Sequence, residues 1–300
     1  MSDPTPQALS EAASQFAREA GEILMGLFGK QVEVDYKNKA ETDPVSEADR
    51  ASQEFLTKAI NKKFPAHGVL GEEKPKDEEE AKKQGAREVP EYLWVLDPLD
   101  GTKNFLNGLH VWGCSVGVLK RGRSIAGAIF TPEDKGTIYH AYEGGGAFRN
   151  DHRIEVAQED KPTGKRIAAL PGSYWTQFRP TGPLKKNLGE VRATGSMCYE
   201  QALVARGGLH YTLFGVPSIW DVAAGAILVK EAGGMTLARR DRTNQWRELD
   251  CFFSGENTPK DLDAARKWRQ SLLIGNPALV QFIAKHIKKV NRRRPGRKNR

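Results

Sequence analysis

The order of apolar patterns along these 300 residues predicts a mixed α/β chain, a layered α+β fold. Strand-like runs crowd the stretch from Trp94 to Ala141, whereas beyond Ile167 short strands alternate with helical stripes. The chain shows no internal repeat, and no apolar run approaches the roughly 18 residues of a membrane span.

The first helix is read from Leu9, Phe16, Ile23, Leu24, Leu27 and Phe28, a stripe over 8–28 that Gly29 closes. Lys37 to Pro44 is polar and predicts a loop. Ser46 followed by Asp49 has the form of a capping box, opening a helix with Phe55, Leu56, Ala59 and Ile60 inward and its end near Pro65. Val69-Leu70 lead into Gly71-Glu72-Glu73, and the charged stretch 74–91 reads as a mobile surface excursion. Strands are expected at 94–96, 111–119, 124–130 and 137–141, with Arg121-Gly122 as a hairpin turn. The glycines at 144–146 read as a turn, since neither Lys-Ser/Thr nor a helical pattern follows them. The second half predicts helices at about 196–205, 221–231 and 277–287, an extended segment at 209–213 and a strand at 272–274.

Composition narrows the class. Charged residues are 28% and mean hydropathy is −0.57, values of a soluble globular chain. The N-terminus lacks the basic start and apolar block of a signal peptide. Cys114, Cys198 and Cys251 are too few and too scattered for a disulfide framework or a zinc pattern, which fits a reducing cytoplasm. The net charge of +8 is local: eight basic residues and no acid lie between Lys288 and Arg300, and without them basic and acidic residues number 38 each. Such a tail can contact a polyanion through phosphates or serve as a disordered, solubilising end, and Pro295-Gly296 favour the second.

Chemistry concentrates in WVLDPLDGTKNF, residues 94–105. Asp97 and Asp100 end an apolar run, Pro98 stiffens the turn between them, and Gly101-Thr102 follow. Two carboxylates on a bend suit Mg²⁺, which takes oxygen ligands and shares its shell with phosphates; a plain polar turn is the competing reading. In IWDVAAGAILVKEAGG, residues 219–234, Asp221 stands where a helix begins, as an N-cap or as a carboxylate held rigidly by small residues packed behind it.

Four blocks together, Asp43-Pro-Val-Ser-Glu-Ala-Asp49, Gly71-Glu72-Glu73, Asp97-Pro-Leu-Asp-Gly-Thr102 and Trp220-Asp221-Val-Ala-Ala-Gly225, resemble the inositol monophosphatase superfamily over roughly residues 8–287. These are Mg²⁺-dependent, lithium-sensitive phosphatases that include bisphosphate nucleotidases and histidinol-phosphatases. The resemblance implies an αβαβα sugar-phosphatase sandwich and a homodimer. It implies one catalytic domain over 1–287 in two subdomains, about 1–165 and 166–287, followed by the tail 288–300. It also implies two or three Mg²⁺ held by Glu72, Asp97, Asp100, Asp221 and the Leu99 carbonyl. Asp97 would bridge two ions, Asp100 and Asp221 would complete the second site, and Glu72 would serve the first and a looser third. Thr102, partnered by Asp49, would orient the attacking water, with Glu72 also catalytic. The Gly101 and Thr102 amides would grip phosphate, and Lys37 would close over the site. For Asp49 a helix-capping role, and for Lys37 a solvated loop lysine, are the alternatives.

The implied reaction is hydrolysis of a small phosphorylated metabolite, an inositol or sugar phosphate by default. The segment from Tyr211 to Trp220 contains no acid to receive inositol hydroxyls, and Phe214-Gly-Val-Pro-Ser-Ile-Trp-Asp221 with Lys103 resembles the 3′(2′),5′-bisphosphate nucleotidase branch. Asn104-Phe105 has the inositol-phosphatase form, and His110-Val-Trp-Gly113 is similar to the histidinol-phosphatase branch. A reading from another class is a non-catalytic binding module whose tail docks on a polyanion.

Overall fold

The structure, a computed structural model, describes residues 3–36, 44–74, 78–239, 245–253, 255 and 258–290. The chain begins with α1 (Pro6–Leu27), β1 (Val34–Tyr36), β2 (Pro44–Ser46), α2 (Glu47–Lys63) and β3 (Gly68–Gly71). It continues through α3 (Glu78–Gly85), β4 (Tyr92–Asp100), α4 (Thr102–Leu106), β5 (Gly113–Lys120) and β6 (Arg123–Thr131). Then come β7 (Thr137–Tyr142), β8 (Gly146–Arg149), β9 (His152–Arg153), β10 (Ile167–Ala169), α5 (Tyr174–Gln177) and β11 (Phe178–Pro180). They are followed by β12 (Glu190–Arg192), α6 (Met197–Ala205), β13 (Tyr211–Phe214), α7 (Ala223–Glu231) and β14 (Met235–Arg239). The last elements are β15 (Trp246–Glu248), α8 (Leu262–Ala265), β16 (Ser271–Gly275), α9 (Pro277–His286) and β17 (Ile287–Lys289).

Two sheets organise these elements. The first runs β3-β4-β5-β6-β7-β8-β9, antiparallel except for the β3–β4 pair. The second runs β12-β10-β13-β16-β14-β15, parallel over its first three strands and antiparallel beyond. Alternation along β4 sends Trp94 and Leu96 into a core with Leu9 and Phe16 of α1 and Leu56 of α2, and Leu93 and Val95 the other way. That second face meets Ala202 of α6 and Ala223 and Ile227 of α7, which share a core with Phe214, Leu272 and Ile274 of the second sheet. Tyr211, Leu213 and Leu273 face α9 in a third core. The layers are therefore α, β, α, β, α, as the family resemblance implies.

The middle helix layer sits close because two strands carry glycine where it lands. A Cβ on Gly117 would stand 2.8 Å from the Ala223 Cβ, and one on Gly127 2.9 Å from the Ala224 Cα. Ser124 Oγ, on the same sheet, donates to the Ala223 carbonyl at 2.7 Å. This contact seats the start of α7 on the sheet that carries Asp97.

Several expectations change. The stretch 74–91 contains α3, which packs against α8; its Glu-, Lys- and Ala-rich sequence favours helix once it has a docking partner. Residues 75–77 lie outside the described residues. The last helix ends at His286, and β17 pairs antiparallel with β11, setting Lys288 opposite Arg179. The boundary expected at 288 thus falls inside a strand, because a three-residue strand takes its stability from a distant partner and leaves no local pattern. The rest of the tail, 291–300, lies outside the described residues. Among those described, no helix is long and apolar enough to cross a membrane.

Replacing Gly117 by Ala should lower stability by about 1–3 kcal/mol through overpacking against α7. Gly26→Ala, on the exposed side of α1 where an added Cβ meets nothing within 4 Å, should instead stabilise by about 0.5–1 kcal/mol. Urea midpoints of the two variants should move in opposite directions; a shared direction refutes the close-approach argument.

Candidate active site

The site begins with a break in strand pairing. β4 and β5 stay in register to Asp97↔Ser115 and resume at Asp100↔Gly113, a β-bulge of the kind that re-aims side chains. Leu99 N–H donates to Asp97 Oδ1 at 3.2 Å, and Ser52 Oγ of α2 donates to the Pro98 carbonyl at 2.9 Å, so the bulge is held from within and from the adjoining helix. Gly101 then turns with φ +91°, where a Cβ would stand 2.9 Å from the Val111 carbonyl oxygen, and Thr102 opens α4.

Asp49 is buried at the start of α2 inside the expected capping box. Its Oδ2 accepts from Ser46 N–H at 2.7 Å and Ser46 Oγ at 2.5 Å. Across the site, Thr102 Oγ1 lies 3.0 Å from Asp49 Oδ1 and 3.1 Å from the Leu99 carbonyl. One hydroxyl proton faces two acceptors, so Thr102 keeps its lone pairs for a donor such as water. Capping and site partnership coexist in Asp49.

Around this pair the carboxylates converge. Asp97 is buried, and burial followed by the charges of Glu72, Asp100 and Asp221 holds its carboxyl well above the usual range. The Glu72 carboxyl is within hydrogen-bond reach of Asp97, and its own N–H extends the β3–β4 pairing by donating to the Leu96 carbonyl at 3.0 Å. Asp100 is pushed up to about 6, chiefly by burial and against the donors on its Oδ2, Cys198 N–H and Ser196 Oγ, the latter at 2.9 Å. Asp221 is raised well above its usual range by burial, then by Asp100 and Glu72, while Ser218 N–H at 2.6 Å and the Arg269 charge oppose the shift. Asp49 is pushed up to about 6 by burial, against Ser46 and Thr102 and with help from Glu72.

The structure thus brings Glu72, Asp97, Asp100, Asp221, Thr102 and Asp49 together, with Leu99 and Gly101 on the same bend. Lys37 lies outside the described residues. Asp221 does not cap α7: Val222 holds that position, and the Asp221 carboxylate closes a turn onto Ser218 instead. Trp94 is core, whereas Trp220 is only partly buried, with the Arg266 and Arg269 guanidiniums over its ring at 5.7 and 5.3 Å. Asn104 is a clip between halves, donating to the Val111 and Thr194 carbonyls at 2.6 and 2.9 Å. Sequence reasoning missed Ser52, Ser196, Ser218 and Gln201, the last donating to the Asp221 carbonyl at 2.7 Å. Only Ser196, as the N-cap of α6, carries a local signal.

As the side chains stand, no three His, Cys, Asp or Glu residues among those described form a ready coordination shell. The donor chemistry still fits a hard cation, because Glu72, Asp97, Asp100 and Asp221 are oxygen donors whose mutual repulsion a cation would relieve.

The burial of these carboxyls, with their mutual repulsion added to it, has a sign in pH. Carboxyls whose folded-state pKa is raised contribute stability that is full below their unfolded values near 4 and is lost as pH climbs through the folded value. Asp49 alone, displaced to about 6, carries roughly 3 kcal/mol. In chelator the melting temperature should therefore fall between pH 5 and pH 8, and added Mg²⁺ should restore more at pH 8, where its ligands are ionised. A melting temperature flat across this window in chelator would contradict the strained cluster.

Comparison with known proteins agrees with this geometry. The family model described as "Inositol monophosphatase family" matches residues 5–271. The chain is 32% identical over 235 residues to an inositol-1-monophosphatase of Mesorhizobium japonicum, covering 76% of this chain and 84% of the relative. It is 31% identical over 240 residues to a Pseudomonas aeruginosa protein named Nus factor SuhB, covering 76% of this chain and 84% of the relative. The solved structure of an IMPase from Thermotoga maritima superposes with a TM-score of 0.68 at 26% identity, over 92% of this chain and 94% of that one. The layered fold, the bulged Asp97–Asp100 turn and the match across nearly the whole chain make this protein a member of the inositol monophosphatase family.

Proposed function

We propose that the chain is a Mg²⁺-dependent phosphomonoesterase that hydrolyses a small phosphorylated metabolite, an inositol or sugar phosphate, with water as nucleophile. The observation that carries the reading is the convergence on buried Asp97 of carboxylates from both halves, beside a Thr102 hydroxyl directed by Asp49. Asp97, Asp100, Asp221, Glu72 and the Leu99 carbonyl would hold two or three Mg²⁺. When bound, these ions would neutralise phosphate charge, acidify water and stabilise the departing alkoxide.

The chain's own residues do the rest. With its proton directed at Asp49 or Leu99, Thr102 Oγ1 accepts from a water and fixes that water's orientation. Glu72, which follows the neighbouring parallel strand β3 at the same sheet end as Asp97, would take part in the same proton movement. The Gly101 and Thr102 amides would grip phosphate oxygens in this reading, and the missing Cβ at Gly101 lets the chain pass the Val111 carbonyl. Lys37 closes over the substrate in this reading, and the chain works as a cytoplasmic homodimer.

A second reading keeps the fold as a binding module, favoured by the name of the Pseudomonas aeruginosa relative and by the basic C-terminal segment. Phosphate release separates the two. Inositol 1-phosphate, adenosine 3′,5′-bisphosphate, fructose 1,6-bisphosphate and histidinol phosphate should be tested with Mg²⁺, with Mg²⁺ plus Li⁺, and with Asp97→Asn. At least one should be turned over with Mg²⁺, and Asp97→Asn should lower kcat by roughly a hundredfold or more. Release from none, with polyanion binding lost on deleting 291–300, would favour the binding module.

A further inference from the structure

The stretch formed by helix α8 and the turn after it carries a cation that the reaction above does not use. Its inward residues, Leu262, Ala265 and Trp268, are buried, with Trp268 edge-on to Phe252 at 5.0 Å between ring centroids. Its outward residues reach the site. Arg266 Nη1 donates to the Glu72 carbonyl at 3.1 Å, clamping the segment to the Glu72 turn. Arg269 lies over Trp220, the neighbour of Asp221, and its charge is felt at that carboxylate.

Arg269 is exposed yet pre-set. Its Nη1 donates to the Arg266 and Trp268 carbonyls at 2.8 and 2.7 Å, and its guanidinium lies over the Trp220 ring at 5.3 Å. Among the described residues it forms no ion pair. A guanidinium fixed in this way loses little freedom on binding an anion and offers its remaining N–H groups as a planar fork matched to phosphate. The reacting phosphate is already provided for by the carboxylate site and the Gly101 turn. The segment before Asp221, Tyr211 to Trp220, carries no acid to receive sugar hydroxyls, which leaves Arg269 as the charged group beside Trp220 with Arg266.

Resting on the phosphatase reading, we infer that Arg269, stacked on Trp220, is a specificity residue that takes the second phosphate of a bisphosphorylated substrate. The rest of that substrate can be sugar or nucleoside; the test tells which. Full-length wild type, Arg269→Gln and Arg269→Lys should be assayed with fructose 1,6-bisphosphate, adenosine 3′,5′-bisphosphate and inositol 1-phosphate. For at least one bisphosphate, Arg269→Gln should lower kcat/KM relative to inositol 1-phosphate by about tenfold or more, through KM, with partial recovery in Arg269→Lys. Because all three substrates use the same carboxylates, an indirect effect through Asp221 should cancel in the ratio. An unchanged ratio, or a change confined to kcat, overturns the inference. If wild type hydrolyses none of them, the phosphatase reading fails, and calorimetric titration of the same phosphates decides the inference separately. A bisphosphate preference lost in Arg269→Gln upholds it, and equal affinities overturn it.

Discussion

Like charges gathered in a dry place are the constraint on which the rest of this structure depends. Asp97 is buried with Glu72, Asp100 and Asp221 acting on it, and each of these side chains would be better solvated apart. Folding must therefore hold them together by other means. The means are packing and short polar ties: three α/β cores, the glycine-mediated seat of α7 on β5 and β6, and single donors that pin each turn.

Those ties cross the molecule. Ser52 of α2 holds the Pro98 carbonyl, Ser196 and the Cys198 amide of α6 hold Asp100, and Gln201 of the same helix holds the Asp221 carbonyl. Helix α6 thus touches the supports of two carboxylates that come from different halves of the chain. A shift of α6 would move Asp100 and the Asp221 turn together, so the middle layer works as the site's frame as well as its core. Gly225 fits this role, since a Cβ there would stand 2.1 Å from the Gln201 Oε1 and break the helix–helix contact.

Local rules made much of this legible. The stripe from Leu9 to Phe28, the Ser46–Asp49 box and the Arg121-Gly122 turn appear close to where their patterns lie; Arg121 and Gly122 both have positive φ, as a tight hairpin asks. Asp97 and Asp100 were legible as a candidate pair in one Asp-Pro-x-Asp-Gly bend, whereas Glu72 and Asp221 joined them only through the family resemblance. What stayed hidden depends on distant partners. Three-residue strands such as β11 and β17 take their form from each other. Asp221 looked like an N-cap because small helix-forming residues follow it, but the turn back to Ser218 claims its carboxylate first. Nothing near Trp220 in the sequence announces that Arg266 and Arg269 return over its ring.

The hydrogen bonds also divide the acids by kind. Asp49 uses both oxygens within the protein, Oδ2 on Ser46 and Oδ1 on Thr102. Asp100 and Asp221 take their scaffold bonds on Oδ2, from Ser196 Oγ and Cys198 N–H in the one case and from Ser218 N–H in the other. A carboxylate satisfied at both ends can orient a neighbour but has little left for a cation, whereas one held at a single oxygen is fixed in direction and still open as a ligand. The difference is what the proposed roles ask for, an orienting one for Asp49 and ligand ones for Asp100 and Asp221. Capping would draw the Asp221 oxygens to the amides of α7, whereas the turn directs Oδ2 to Ser218 N–H.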